Sequence, residues 1–583
     1  MTFTTRPELR GTFGMVASTH WLASGVGMSV LERGGNAFDA AVAAGLVLQV
    51  VEPHLNGPGG DVPAIVYSAE RGDVLVICGQ GPAPAAATPE RFAELGLDLI
   101  PGTGPLAATV PGAFDAWMLM LRDFGTWELA DVMAPAIGYA GDGYPLVSRI
   151  RAAIEGVEDL LREEWPSSAE LYLPLPRAGE RFRNPALAET YGRITGESTR
   201  AAGTREGRID AARDAFYRGW VAEAIDGWTR EAEVMDASGE RHRGLLAGDD
   251  LAGWEATLEA PVTLDYDGHT ICKTGPWGQG PVMLQQLALL AGFDLAAMGP
   301  GADFVHTVVE CAKLAFADRE AWYGDPEFVD VPLAALLSAE YADERRALVG
   351  ERASEELRPG APDGREPRMP PIAAAVAGAA GTGEPTLGLA GDTCHLDVAD
   401  RHGNLVSATP SGGWLHGAPV VPGLGFCLGT RAQMFWLTEG LPNSLEPRKR
   451  PRTTLTPTLV LRGGKPYMAI GTPGGDMQDQ WSLGALLGHL HFGRDLQAAI
   501  DAPSFHTNHM PSSFYPREMH LNEIEIEERV GSETLEELRR RGHDVQVREP
   551  WSLGRVSAVA REPDGLLKAG ANPRGMQGYA VGR

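Results

Sequence analysis

Residues 391–413 read GDTCHLDVADRHGNLVSATPSGG. From Thr393 to Asp400 the side chains alternate, with Cys394, Leu396 and Val398 on one face and Thr393, His395 and Asp397 on the other. That is the period-two pattern of a β-strand. Asp400-Arg401-His402-Gly403-Asn404 supplies a turn, and Leu405 to Thr409 returns as an antiparallel partner. Immediately upstream, RPGAPDGREPRMPPIAAAVAGAAGTGEPTLGLA (residues 358–390) is rich in Pro, Gly and Ala and lacks apolar periodicity, as expected of a mobile linker. A linker running straight into the first residue of a core strand places a scission point at a strand end.

Further out, the first half alternates between helices and strands. Met28 to Arg33 reads as helix and stops at Gly34-Gly35. Asn36 is positioned to cap a second apolar helix that ends before Pro53. Gly57-Pro58-Gly59-Gly60 is a tight turn into a strand, Pro63 to Ser68, paired through Arg71-Gly72-Asp73 with Val74 to Cys78. Helices are expected near 113–121, 129–140 and 304–321. No fixed-period repeat is present.

Composition narrows the class of protein. The 583 residues are 44% hydrophobic and 22% charged, a globular balance. A formal charge of -27 disfavours nucleic-acid binding, which needs a basic surface. A local arginine cluster could still hold an anionic small molecule. Five scattered cysteines form no CxxC pair, so neither a zinc knuckle nor a disulfide framework is expected. The first residues lack the basic start and apolar run of a secretory signal. The most apolar stretch, 37–51, is too short for a spanning helix, which needs about 20 residues. A cytoplasmic protein without membrane or nucleic-acid partners is the expectation.

Amide hydrolysis needs a nucleophile, a base and oxyanion donors. No GxSxG elbow is present. The other economical arrangement is an N-terminal Thr whose own α-amine, with an ordinary pKa of about 7.7–8.0, serves as the base. Such a group exists only after the preceding peptide bond is cut. Scission of Asp392–Thr393 would create it, and the acyl-Thr393 ester then formed from an amide could pass to water, as in a hydrolase, or to an amine, as in an acyltransferase.

A family resemblance supports that choice. Residues 391–413 resemble the start of the small subunit of γ-glutamyltransferases, where a Thr-x-His strand runs into a D/HGN turn. EPRKRPRTTLTPTLVLRGGKPYMAIGTPGGD (446–476) is similar to that family's KRP-x-(S/T)(S/T)-x-x-PT segment followed by G(S/T)PGG. Residues 14–60 match the family's opening block almost residue for residue. TVPGAFDAW, MAPAIGYAGDGY and ADREAWYGDPEFVDVP follow in the expected order. The resemblance implies an α+β fold, a four-layer αββα sandwich of the N-terminal-nucleophile type. The precursor would be cut into a large subunit (1–392) and a small one (393–583). It also implies Thr393 as nucleophile, Gly474 and Gly475 as oxyanion donors, and Ser411 where the family has a supporting Thr hydroxyl. No cofactor is implied.

The binding residues depart from the family. Gln80, in CGQGPAPA, stands where an Arg clamps the substrate α-carboxylate. Gly413 replaces a substrate-contacting Asn. The family's Gln-Met-Asp-Asp segment, whose last Asp holds the α-ammonium, corresponds to Arg431, Ala432, Gln433 and Met434. Thr453 and Thr454 keep the paired hydroxyls, preceded by Arg452. A site that loses an acid facing an ammonium discriminates against that ammonium. Arg431 or Arg452 is therefore a candidate receptor for the carboxylate of an acyl group such as a dicarboxylic monoamide. The opposing reading makes both surface arginines, Arg452 lying in a basic run.

Two other classes are open. His489, His491, His506 and His509 could form a metal-dependent amidohydrolase centre, although His489 and His491 diverge on a helix. An uncut, non-catalytic family member is the other. The partners expected are a small amide substrate and the two halves of one precursor, with a homo-oligomer of the processed unit left open. His395 and Asp397 either order the site or are structural.

Overall fold

The computed structural model describes residues 3–371 and 393–583; Asp392 and residues 372–390 of the linker stretch lie outside the described residues. Two seven-stranded antiparallel sheets form the framework. Their strands are β1 (Leu9–Gly11), β2 (Gly14–Ser18), β3 (Val62–Ser68), β4 (Asp73–Gly79), β5 (Thr257–Glu259), β6 (Val262–Tyr266), β7 (His269–Lys273), β8 (Leu396–Asp400), β9 (Leu405–Ala408), β10 (Thr458–Arg462), β11 (Lys465–Gly471), β12 (Ser557–Arg561), β13 (Leu567–Ala571) and β14 (Tyr579–Gly582). The first sheet runs β14-β2-β8-β9-β3-β4-β5 and the second β1-β13-β12-β11-β10-β7-β6.

Strand parity assigns the faces. Met15, Ile65, Val76, Ala399 and Leu405 of the first sheet share one buried cluster with Cys272, Leu459, Ala469, Val559 and Leu567 of the second. The alternate residues Val16, Val62, Val66, Leu396 and Val398 face a larger cluster containing helices α1 (Trp21–Glu32), α2 (Ala37–Val51), α3 (Ala113–Phe124) and α4 (Leu129–Asp142). On the second sheet Ile271, Val460, Met468 and Ala558 meet α5 (Gly280–Leu290), α6 (Ala302–Trp322) and α7 (Gln478–Phe492). The protein is thus α+β with antiparallel sheets.

The local reasons are visible in the sequence. Asn36 Oδ1 accepts from the backbone N–H groups of Phe38 (2.9 Å) and Asp39 (3.0 Å), and Asp39 returns a bond to Asn36 N (3.0 Å). This capping box starts α2, which is buried along its whole length. Gly45 permits close packing there, because a Cβ would fall 2.3 Å from the Trp117 ring. The first helix begins earlier than the apolar pattern indicates, at Trp21, because the His20 ring caps it by accepting from Leu22 N at 3.2 Å. The start of the proline-rich stretch is tied down rather than mobile: Arg358 pairs with Glu310 at 3.2 Å, and Gly360 N donates to Asp318 at 2.7 Å.

Strands from both sides of residue 393 alternate. In the first sheet β8 and β9 lie between β2 and β3, and in the second the block β13-β12-β11-β10 lies between β1 and β7. Fragments made by cutting before Thr393 would stay joined by these ladders.

Candidate active site

Four strand ends meet at one end of the first sheet. Thr393 precedes β8, Ser411 follows β9, Asp61 precedes β3 and Gln80 follows β4. Thr393 and Ser411 pair as an antiparallel bridge, as do Asp61 and Ser411. Asp61 N donates to Ser411 O at 2.8 Å, and Ser411 N to Asp61 O at 3.0 Å. Gln80 lies one step beyond the Val62–Gly79 pair, opposite Asp61. Residues directly opposite in a ladder project from the same face, and here that face looks toward the second sheet. The result is a row, Gln80–Asp61–Ser411–Thr393, spanning four neighbouring strands.

The row is buried: Thr393 is 1% exposed, Ser411 and Gln80 are 0%. Thr393 Oγ1 lies 3.2 Å from Ser411 Oγ. On the same face, His395 bonds Thr409 Oγ1 through Nδ1 (3.0 Å) and Asp397 Oδ1 through Nε2 (3.0 Å). Asp397 also accepts from Ser407 (2.8 Å) and, across the sheets, from Ser557 (2.9 Å). His395 and Asp397 are therefore a closed buried network behind Thr393. Its acceptors are satisfied by protein groups, as a polar group between two sheets requires. On the opposite face Cys394 Sγ contacts Glu52 Oε2 at 2.9 Å. Burial pushes the Cys394 thiol far up and raises the Glu52 carboxyl, which Cys394 and Thr19 partly offset by donating to it.

Strand β11 of the second sheet ends above this row. A Cβ on Gly471 would fall 2.2 Å from the His395 ring, and Ser407 Oγ reaches Ile470 O at 3.5 Å. Gly474 and Gly475 follow within four residues, at φ +130° and +56°. Asp476 anchors the turn: it ion-pairs with Arg319 and accepts from Ser513 N (2.8 Å) and Oγ (2.6 Å). Burial would raise the Asp476 carboxyl, but Arg319 and Ser513 outweigh it and hold it below the ordinary range. Gly474 also presses on Trp481, whose ring would lie 2.1 Å from a Cβ. Gly474→Ala is therefore expected to destabilise the protein by about 1–3 kcal/mol from backbone strain, read as a lower urea midpoint. An unchanged midpoint would mean the turn relaxes freely.

The two candidate arginines have different surroundings. Arg431 opens a short 3-10 turn, Arg431–Met434, and is 1% exposed. Its Nε donates to Asp61 Oδ2 at 2.8 Å, yet Nη1 and Nη2 have no hydrogen-bond partner, nor does Asp61 Oδ1. Burial raises the Asp61 carboxyl, and Arg431 opposes that rise. The guanidinium also lies over the Trp414 ring at 5.2 Å. Arg452 is committed elsewhere: Nη2 donates to Glu320 at 2.6 Å and Nη1 to Arg319 O at 3.0 Å. Neither arginine is a surface group, which corrects the solvated reading of the basic run. Lys449 in that run is buried as well, and Arg450 pairs with Asp325 (2.7 Å) and Glu259 (2.8 Å).

The remaining candidates are dispersed around this end. Gln80 Nε2 donates to Gly81 O at 3.1 Å and its Oε1 is unpartnered. Thr454 Oγ1 is buried without a partner, whereas Thr453 Oγ1 accepts from Leu455 N at 3.3 Å. Met434 forms a small apolar cluster with Trp414 and Phe514. The four histidines weighed as metal ligands do not converge. His489 Nε2 meets Tyr467 OH (2.6 Å), His491 Nε2 meets Tyr266 OH (2.9 Å), and His509 Nδ1 accepts from Asn522 N (2.7 Å). His506 Nε2 lies 3.9 Å from Glu525.

Asp61 was missed by sequence reasoning. Its only signal was an acid directly after the Asn56–Gly60 turn, in a strand whose register fixes its neighbour.

Comparison with known proteins identifies relatives over nearly the whole chain. A "Structure of LmbA2991HD" chain is 58% identical, covers 100% of both chains and superposes with a TM-score of 0.95. The glutathione hydrolase-like YwrD proenzyme of Bacillus subtilis (strain 168) is 32% identical, covering 98% of this chain and 99% of its own. The acylase ACY 1 proenzyme of Pseudomonas sp. (strain SE83) is 33% identical, covering 96% and 92%. Among the described residues, no helix is long and apolar enough to cross a membrane. The family model described as gamma-glutamyltranspeptidase matches residues 23–582, and with the ordered motifs and the strand-end row this means that the chain belongs to the gamma-glutamyltranspeptidase family.

Proposed function

We propose that the protein is a self-processing amide hydrolase with Thr393 as nucleophile and a carboxylate-bearing acyl group as its substrate. In the precursor the Thr393 hydroxyl adds to the Asp392 carbonyl carbon, and the C–N bond breaks to leave an ester and a free Thr393 amine. Water then cleaves the ester, giving subunits 1–392 and 393–583. In the mature enzyme that amine takes the hydroxyl proton as Oγ1 attacks the substrate amide. The proton passes to the leaving amine, and water releases the acid. Gly474 and Gly475 N–H groups stabilise the oxyanion, and Ser411 Oγ orients Thr393 Oγ1. The helices and sheets stack in this reading as an αββα sandwich, supported by the opposite-face clusters of each sheet.

One observation carries the substrate assignment: Arg431 presents two buried, unpartnered Nη groups beside the row that ends in Thr393. Neighbouring strands lie about 4.8 Å apart, so Asp61 sits roughly 10 Å from Thr393. That span suits an acyl chain with a carboxylate at its far end. An unpaired buried guanidinium is costly, and a carboxylate received in its fork offsets that cost. Met434 in its apolar cluster offers no acid for an α-ammonium, so a glutaryl-type monoamide fits better than a γ-glutamyl one. A second reading retains γ-glutamyl amides, with Asp61 Oδ1 accepting the ammonium.

The pH dependence separates the two. Burial raises the Asp61 carboxyl, so acidification favours its neutral form, which can donate to a bound carboxylate. The Ki of glutarate is therefore expected to fall as the pH is lowered into the raised Asp61 range, while that of glutamate rises because its ammonium needs ionised Asp61. Competition assays measure both. A γ-glutamyl anilide turned over much faster than a glutaryl anilide would decide for the second reading.

A further inference from the structure

Behind the Gly474 turn lies a cavity of about 250 Å³, enclosed by α7, the start of α6 and residues 499–505. Phe304, Phe492, Ile500, Phe505 and Leu553 form apolar walls. Three arginines also line it, Arg494, Arg529 and Arg574. Two of them share one acid: Arg574 Nε donates to Glu527 Oε1 at 3.0 Å and Arg529 Nε to Glu527 Oε2 at 3.1 Å. Arg494 has no acid partner among the described residues; its guanidinium rests 5.5 Å from the centre of the Phe492 ring. The cavity thus pairs an apolar interior with positive charge in excess. The volume suits a fragment rather than a drug-sized ligand, for which pockets run from about 300 Å³ upward.

Trp481 connects this cavity to the chemistry. Its ring lines the cavity, packs edge-on against His506 with ring centres 5.3 Å apart, and lies against Gly474 and Gly554, where added Cβ atoms would fall 2.1 and 3.2 Å away. Its indole Nε1 is buried without a hydrogen-bond partner. An occupant leaning on the indole therefore bears on a backbone segment held at a φ only glycine tolerates.

We infer that this cavity binds a small amphipathic monocarboxylate, its tail among the phenylalanines and its carboxylate on Arg494, and that occupancy alters turnover through Trp481 and the Gly474 turn. Carboxylates pair with guanidinium in a fork, and apolar burial supplies the remaining affinity. The site shares no residue with the Arg431 pocket, and its binding step does not depend on Thr393 being the nucleophile.

Octanoate and octanol serve as probes, titrated by calorimetry into the processed protein and into Thr393→Ala. Gly484→Leu fills the cavity from α7, where an added Cβ meets nothing within 4 Å; Arg494→Gln removes the charge while keeping the walls. Octanoate is expected to bind the parent and Thr393→Ala alike and to lose detectable binding to Gly484→Leu. Its affinity should weaken about tenfold in Arg494→Gln, with octanol unaffected by that change. Octanoate should shift kcat of the parent and leave that of Gly484→Leu unmoved. Octanoate binding that survives Gly484→Leu overturns the site, as does equal loss of octanol and octanoate in Arg494→Gln. Binding with no change in kcat overturns the coupling to Gly474.

Discussion

Thr393→Ala is expected to yield one uncut chain of 583 residues, where the parent gives fragments of 392 and 191. Amide turnover should fall by at least about 10⁴-fold, the scale lost when a nucleophile is removed from a unit that acts together. The fold should survive. Thr393 contributes one bridge and one 3.2 Å hydroxyl contact to a sheet secured by the full β8–β9 ladder. Thr393→Ser keeps the hydroxyl and should still be cut. A denaturing gel, N-terminal sequencing of the smaller fragment and an anilide assay check all of this. An active enzyme that remains whole across residues 392–393 would require another nucleophile.

The second large effect concerns Arg431. Arg431→Gln should lower kcat/KM for a glutaryl anilide by about 10²–10³-fold, since truncating one partner of a buried charge pair costs 2–5 kcal/mol. Processing should continue, because the Thr393–Ser411 pair does not contact the guanidinium. The single variant also leaves Asp61 buried and unpaired, a destabilisation of about 3–5 kcal/mol. Combining it with Asp61→Asn removes the stranded charge and isolates the binding effect. Recovery of stability without recovery of glutaryl turnover is the expected pattern. Full turnover in the double variant would remove Arg431 from substrate recognition.

Arg452 shows why candidates that look equal in sequence part company in three dimensions. Both arginines stand near family binding segments, and both are buried. Glu320, 132 positions away in the chain, occupies the Arg452 fork, whereas Asp61, 370 positions away, takes only the Nε of Arg431. Nothing local to either arginine encodes that difference. Asp61 is likewise silent until β3 and β9 pair, because its importance lies in being opposite Ser411. The same holds in part for His395: the alternation puts it on the Thr393 face beside Asp397, but Thr409, and through Asp397 Ser557, arrive only when a second strand and a second sheet pack around it.

The sequence by itself determined the strand entered from Thr393, which in the structure spans Leu396–Asp400, the capped and largely apolar α2, the glycine turn at 474–475 and the family to which these belong. Those features are local: side-chain parity, capping chemistry and backbone freedom act over a few residues and leave their mark on the order of the chain. Tertiary structure alone decided which guanidinium keeps a free fork, that Gln80, Asp61, Ser411 and Thr393 form one row, and that a cavity lies behind the Gly474 turn. Charge pairing and cavity shape depend on groups hundreds of residues apart being brought within a few ångströms, and sequence order carries no record of that distance.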